Sequence, residues 1–141
     1  MTPEQVKLVQ QSFAQVAPIA DTAATIFYER LFVIAPAVKP LFHGDMAEQR
    51  RKLMATLATV VGGLCNIETV LPAANALAKR HVGYGVKPEH YDSVGAALLW
   101  TLERGLGDKW TSDLAAAWSA AYGTLSRFMI GEAYGRAQAA E

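Results

Sequence analysis

The stretch Val70-Leu71-Pro72-Ala73-Ala74-Asn75-Ala76-Leu77-Ala78-Lys79-Arg80-His81 decides how this 141-residue chain is read. Val70, Leu71, Ala74, Leu77 and Ala78 follow the spacing of one face of an α-helix. Pro72 is tolerated because it falls in the first turn, where an N–H would have no intrahelical partner. His81 continues the series, so its imidazole points where the apolar side chains point. An imidazole among apolar groups is costly unless its polar atoms are engaged. The ordinary solution is a core histidine bonded to a backbone carbonyl. The functional one is a metal, or a metal carried in a cofactor.

Outward from this helix the pattern stays helical. Thr2 caps a first helix, with Pro3 at its first position and Gln5 closing a capping box. That helix turns Val6, Val9, Phe13 and Val16 inward and stops near Pro18. A second runs over about 21–34, with Ala24, Phe27, Tyr28 and Leu31 on one face. Pro36 and Pro40 bracket a short helical turn, and a loop follows. A long helix over about 45–65 carries Met46, Leu53, Leu57, Val60, Val61 and Leu64. The helix bearing His81 begins near Thr69 and ends before Gly83 and Gly85, which suit a tight turn. Another starts at Pro88 with Tyr91, Val94, Leu98 and Leu102. The last starts near Thr111 with Leu114, Trp118, Ala121, Leu125 and Phe128, and residues 137–141 read as a frayed end. No segment alternates with strand period, and no repeat or linker interrupts the chain. The expectation is one all-α domain over residues 1–141, with six to eight helices.

Apolar residues make up 52% of the chain, enough for a real core. Lys plus Arg and Asp plus Glu number 13 each, which gives no basic footprint for nucleic acid and no attraction to anionic membranes. Cys65 is the sole cysteine, so no internal disulfide forms, in keeping with a reducing compartment. The N-terminus lacks a signal-peptide pattern, and no apolar run is long enough to span a bilayer. A soluble cytoplasmic protein is expected, a monomer or weak dimer.

Polar residues break the apolar stripes at several inward positions. Tyr28 lies four residues after Ala24 and three before Leu31, and Gln49 lies four before Leu53. Tyr91 opens its helix's stripe. Glu132 is the next term after Trp118, Ala121, Leu125 and Phe128. Singly, these read as core tyrosines with wet hydroxyls, an edge glutamine and a terminal glutamate. Together, Tyr28, Gln49 and His81 bring two donors and one ligand to a helical interior. A flat, mostly apolar cofactor accounts for the set. Its metal would be held by His81 on one side. A diatomic ligand on the other side would carry partial negative charge once bound and could receive hydrogen bonds from the Tyr28 hydroxyl and the Gln49 amide. Phe42, after the two prolines, could wedge against the cofactor plane.

In order, these residues resemble a globin over nearly the whole chain, in particular bacterial single-domain haemoglobins and the haem domain of flavohaemoglobins. Phe27-Tyr28-Glu29-Arg30-Leu31-Phe32 resembles that group's second helix, with Tyr28 as the distal tyrosine. Leu41-Phe42 resembles the haem-packing phenylalanine. Gln49-Arg50-Arg51-Lys52-Leu53 resembles the distal helix, with Gln49 and Leu53 over the iron. Arg80-His81 and Val86-Lys87-Pro88-Glu89-His90-Tyr91 resemble the proximal histidine and the turn beyond it, and Ala121-Tyr122-Gly123 resembles the last helix. Gln49 and His81 stand 32 residues apart, as in such globins.

The resemblance implies a globin fold around haem b, with His81 as the iron ligand. It implies reversible binding of dioxygen, nitric oxide or carbon monoxide, for oxygen carriage, storage or scavenging. It also implies a proximal network His81–Tyr91–Glu132. The family's last-helix glutamate aligns with Ala133, one residue beyond Glu132, but the helical stripe turns Glu132 inward. Lys52, Lys79 and Arg80 read either as haem-propionate partners or as solvated surface. The sequence ends at Glu141 without the flavin- and nicotinamide-binding domains of flavohaemoglobins. A nitric oxide dioxygenase activity would therefore need an external reductase, and a haem-based gas sensor would need a separate output partner. A haem-free globin-fold module, or one carrying a bilin on Cys65, is opposed by the intact His81, Tyr28, Gln49 and Phe42. Cys65 reads as a small core cysteine.

Overall fold

Thr2 starts the first helix with a reciprocal cap: its hydroxyl accepts from the Gln5 N–H at 3.1 Å, and the Gln5 side chain accepts from the Thr2 N–H at 3.0 Å. From there the computed structural model describes residues 1–42, 44–83 and 87–131. Six α-helices follow in order: α1 (Pro3–Val16), α2 (Ala20–Ile34), α3 (Met46–Gly62), α4 (Leu71–Gly83), α5 (Pro88–Leu106) and α6 (Ser112–Ile130). Short 3-10 turns at Ala17–Ile19, Pro36–Leu41, Leu64–Thr69 and Gly107–Lys109 join or extend them. The described residues contain no strand. No helix among them is long and apolar enough to cross a membrane.

The long helix expected over 45–65 ends at Gly62. Two consecutive glycines remove helix propensity there, and the Gly63 N–H closes the helix on the Thr59 and Val60 carbonyls, both at 3.1 Å. A Cβ on Gly63 would collide with the Val70 side chain, so the close approach of the α4 entry requires glycine. The following turn contains a non-helical Asn66, with φ −140° and ψ 77°. Cys65 therefore leaves the helix. It is exposed, not a core residue, and its Sγ lies 3.6 Å from Gln10 Nε2.

Packing follows the apolar faces read from the sequence. α2 packs against α5, and α1 packs against α6. Val9, Val16, Phe27, Tyr28, Leu31, Leu98, Leu102 and Trp118 are buried in the main core. A buried polar bond ties α1 to α6: Trp118 Nε1 donates to Ser12 Oγ at 2.9 Å, and Ser12 Oγ donates to the Leu8 carbonyl at 2.7 Å. Each group is satisfied, which is the condition for its burial. Ala74, Ala78, Tyr91 and Met129 form a second cluster, flanked by Leu77, Leu125 and Phe128. A domain of this size commonly has one contiguous core. Here the described residues divide into two clusters, one holding Tyr28 and the other backing the helix of His81.

Candidate functional site

The first group of site residues forms where α2 meets the start of α3. Tyr28 is buried because it shares the inward face of α2 with Ala24, Phe27 and Leu31. Gln49 is placed by the cap of α3. Asp45 accepts from the Ala47 N–H through its side chain at 2.9 Å, and from the Gln49 N–H through its carbonyl at 3.0 Å. Gln49 Nε2 then donates to Tyr28 Oη at 3.1 Å. This differs from two donors aimed separately at one point: Gln49 donates one amide N–H to the tyrosine oxygen, which leaves the phenol O–H to donate elsewhere. Burial raises the Tyr28 pKa above its ordinary 10.0, against the opposing effect of the Gln49 bond. The phenol therefore stays protonated at neutral pH.

Aromatic rings hold Tyr28 in place. Its centroid lies 4.9 Å from Phe27 and 5.4 Å from Phe42, both edge-to-face, and Phe42 also meets Phe32 at 5.5 Å. Such contacts fix the ring rotamer at little entropic cost. Leu53 lines an apolar cavity of about 20 Å³ together with Phe13, Phe27, Leu57 and Leu98.

The second group lies on α4 and α5. His81 Nδ1 is 2.8 Å from the Leu77 carbonyl one turn earlier. A carbonyl can only accept, so Nδ1 carries the proton and the lone pair sits on Nε2. Burial lowers the His81 pKa below 6.5; the Leu77 bond opposes this, and the Arg80 charge adds to it. A neutral imidazole with its lone pair on Nε2 and its N–H held by a carbonyl is the form that ligates a metal. The Tyr91 ring stacks beside it, with centroids 6.1 Å apart and planes 27° from parallel. Tyr91 is held in turn by Tyr122, whose hydroxyl donates to the Tyr91 carbonyl at 2.6 Å. The Tyr122 ring occupies a notch at Gly95, where an added Cβ would stand 2.7 Å from its Cε2.

The structure thus brings Tyr28, Gln49 and Phe42 together, and separately His81 and Tyr91. Lys52 is exposed and pairs with Glu48 at 3.5 Å along α3. Lys79 and Arg80 are exposed on α4. Glu132 lies outside the described residues. Sequence reasoning missed Tyr122 and Gly95 as supports of Tyr91. The available signals were the helical step from Trp118 to Tyr122 to Leu125, and a glycine one turn after Tyr91.

Comparison with known proteins bears on the family and the fold. The family model for globins matches residues 25–129. A protein named flavohemoprotein from Rhodopirellula baltica is 33% identical over 134 residues, covering 93% of this chain and 33% of that protein. A flavohemoprotein from Bordetella parapertussis is 31% identical with the same coverage, 93% and 33%. The chain thus spans about a third of the length of these relatives. Among solved structures, a bacterial globin from Campylobacter jejuni superimposes with a TM-score of 0.83 at 27% identity, covering 97% of this chain and 99% of that one. A hexacoordinated haem protein from a tardigrade gives a TM-score of 0.86 at 14% identity, covering 94% and 95%, which speaks to the fold alone. With its helical order, its inward histidine and a family match over most of its length, the chain belongs to the globin family, whose cofactor is haem.

Proposed function

We propose that His81 would hold haem b in this globin, and that the haem would reversibly bind dioxygen, nitric oxide or carbon monoxide with Tyr28 and Gln49 as the polar partners of the gas. The observation that carries the proposal is the Gln49–Tyr28 hydrogen bond at 3.1 Å, which positions the phenol oxygen, while burial keeps the phenol protonated and able to donate.

The residues present fit the cofactor. Among the described residues no cluster of three His, Cys, Asp or Glu side chains offers a site for a bare metal ion. A single neutral histidine suits a metal whose other ligands come from a macrocycle. Tyr28 belongs to the main apolar cluster, and Ala74, Ala78 and Tyr91, which surround His81 on its helix and beside its ring, belong to a second one, so apolar groups are at hand on both sides for a mostly apolar cofactor. When bound, the haem iron supplies the site that coordinates a diatomic gas. The chain supplies the rest. His81 provides the ligand nitrogen, and Leu77 orients it. Tyr28 would donate a hydrogen bond to a bound gas, and the Gln49 amide would hold the phenol oxygen in place for that contact.

A second reading takes from the relatives' name, flavohemoprotein, only that a haem there is accompanied by a flavin, a source of electrons. The same pocket would serve a nitric oxide dioxygenase supplied with electrons by an external reductase. Nitrate formation from nitric oxide on addition of a flavin reductase and a nicotinamide donor distinguishes the two readings.

The primary test is the absorption spectrum of the haem-loaded protein in the ferric, dithionite-reduced and carbon monoxide states. The expected result is a sharp histidine-ligated carbon monoxide band that is lost in His81→Gly. Haem bound unchanged without His81, or no stoichiometric haem in the parent, would overturn the proposal.

A further inference from the structure

The first turns of α3 carry Gln49, yet they are the least anchored part of that helix. Its one fully buried residue is Val61, near the opposite end. Met46, Gln49 and Leu53 are only half-buried, and Glu48, Arg51 and Lys52 are exposed. Two side-chain bonds join this segment to α2. One is Gln49 Nε2 to Tyr28 Oη at 3.1 Å, and the other is Arg50 Nε to Asp21 Oδ1 at 3.1 Å. Gln49 and Arg50 are neighbours, whereas Asp21 and Tyr28 are seven residues apart on α2. Seven residues are two helical turns, so both lie on one face, roughly 10 Å apart along the axis. A single bond would let α3 pivot about the contact. Two bonds fanning to anchors this far apart fix both its rotation and its slide along α2.

We propose that the Asp21–Arg50 ion pair is a latch that holds the first turns of α3, and with them Gln49, on Tyr28. The inference rests on the function proposed above. Asp21 and Arg50 are positioning residues that act through Gln49. The latch is a surface device. The Asp21 side chain is 82% exposed and that of Arg50 26%, so solvent and salt screen the pair. Its release should raise the dioxygen dissociation rate by about two- to fivefold, not by orders of magnitude.

The test is a double-mutant cycle in the haem-loaded protein with Asp21→Asn, Arg50→Gln and the double variant, and with Arg50→Lys as the conservative control. Dioxygen dissociation is measured at low and high ionic strength, and backbone amide exchange is followed over residues 46–53. The expected result at low salt is faster dissociation and faster exchange in each single variant. The double variant is no worse than the singles, Arg50→Lys stays near the parent, and high salt brings the parent toward the variants. Additive effects, or single variants indistinguishable from the parent in exchange, overturn the latch. Tyr28→Phe separates this failure from failure of the proposed function. If that variant leaves dissociation unchanged, the donor role of Tyr28 falls. Amide exchange, also measurable without haem, then decides the latch alone.

Discussion

Replacing Tyr28 with phenylalanine removes one proton donor and little else. The ring keeps its edge-to-face contacts with Phe27 at 4.9 Å and Phe42 at 5.4 Å, so the fold should lose little stability. A hydrogen bond to a charged or strongly polarised acceptor is worth about 1.5–3 kcal/mol. At roughly 1.4 kcal/mol per tenfold, that is about ten- to hundredfold in the rate at which dioxygen leaves. Part of the loss is recovered, because the same change deprives Gln49 Nε2 of its acceptor at 3.1 Å and lets the amide turn toward the ligand. A rise of about tenfold in the dioxygen dissociation rate is therefore expected, together with faster autoxidation. Bound carbon monoxide carries less negative charge, and its dissociation should change by less than about threefold. Stopped-flow displacement of dioxygen by carbon monoxide, with the reverse experiment using nitric oxide, measures both rates. Equal dioxygen rates in Tyr28→Phe and the parent would refute the donor assignment. An equal rise for both gases would point to altered access instead of a lost hydrogen bond.

Two further predictions concern the support behind His81. Gly95→Ala places a Cβ 2.7 Å from Tyr122 Cε2, so the ring must move, at a cost of about 1–3 kcal/mol. Thermal unfolding should show a drop of several degrees, whereas Gly123→Ala, which meets only the movable Arg127 side chain, should be neutral or stabilising. Burial, reinforced by the charges of Tyr91 and Asp92, raises the Tyr122 pKa above its ordinary 10.0. The unfolded chain thus loses this proton first as pH rises, and Tyr122 contributes stability that is complete below pH 10 and is lost above it. Tyr122→Phe should cost about 1 kcal/mol at neutral pH and flatten the alkaline limb of the stability curve; an unchanged limb would remove Tyr122 as its source.

Much of the helical layout could be read from spacing. The inward faces of α1, α2, α5 and α6, the Thr2 cap and the inward placement of Tyr28 and Tyr91 all follow from steps of three and four. The end of α3 was less legible. The apolar stripe continues to Leu64, but the Gly62-Gly63 pair and the close approach of Val70 end the helix there and leave Cys65 exposed. Gln49 was visible as an inward polar residue. Its bond to Tyr28, 21 residues away in the chain, depends on how α2 and α3 cross.

The sequence by itself determined which residues form helices and which side of each helix is apolar, because side-chain periodicity acts within one or two turns. It also singled out His81 as an imidazole aimed inward. The tertiary structure alone decided the polar bonds between helices: that Gln49 donates to Tyr28, that Tyr122 holds Tyr91, and that Asp21 reaches Arg50. The inter-helix contacts join residues 21 to 31 positions apart, or 29 for the ion pair. Hydrogen bonds act over about 3 Å and demand alignment. Only the packing of one helix on another brings such residues within that range.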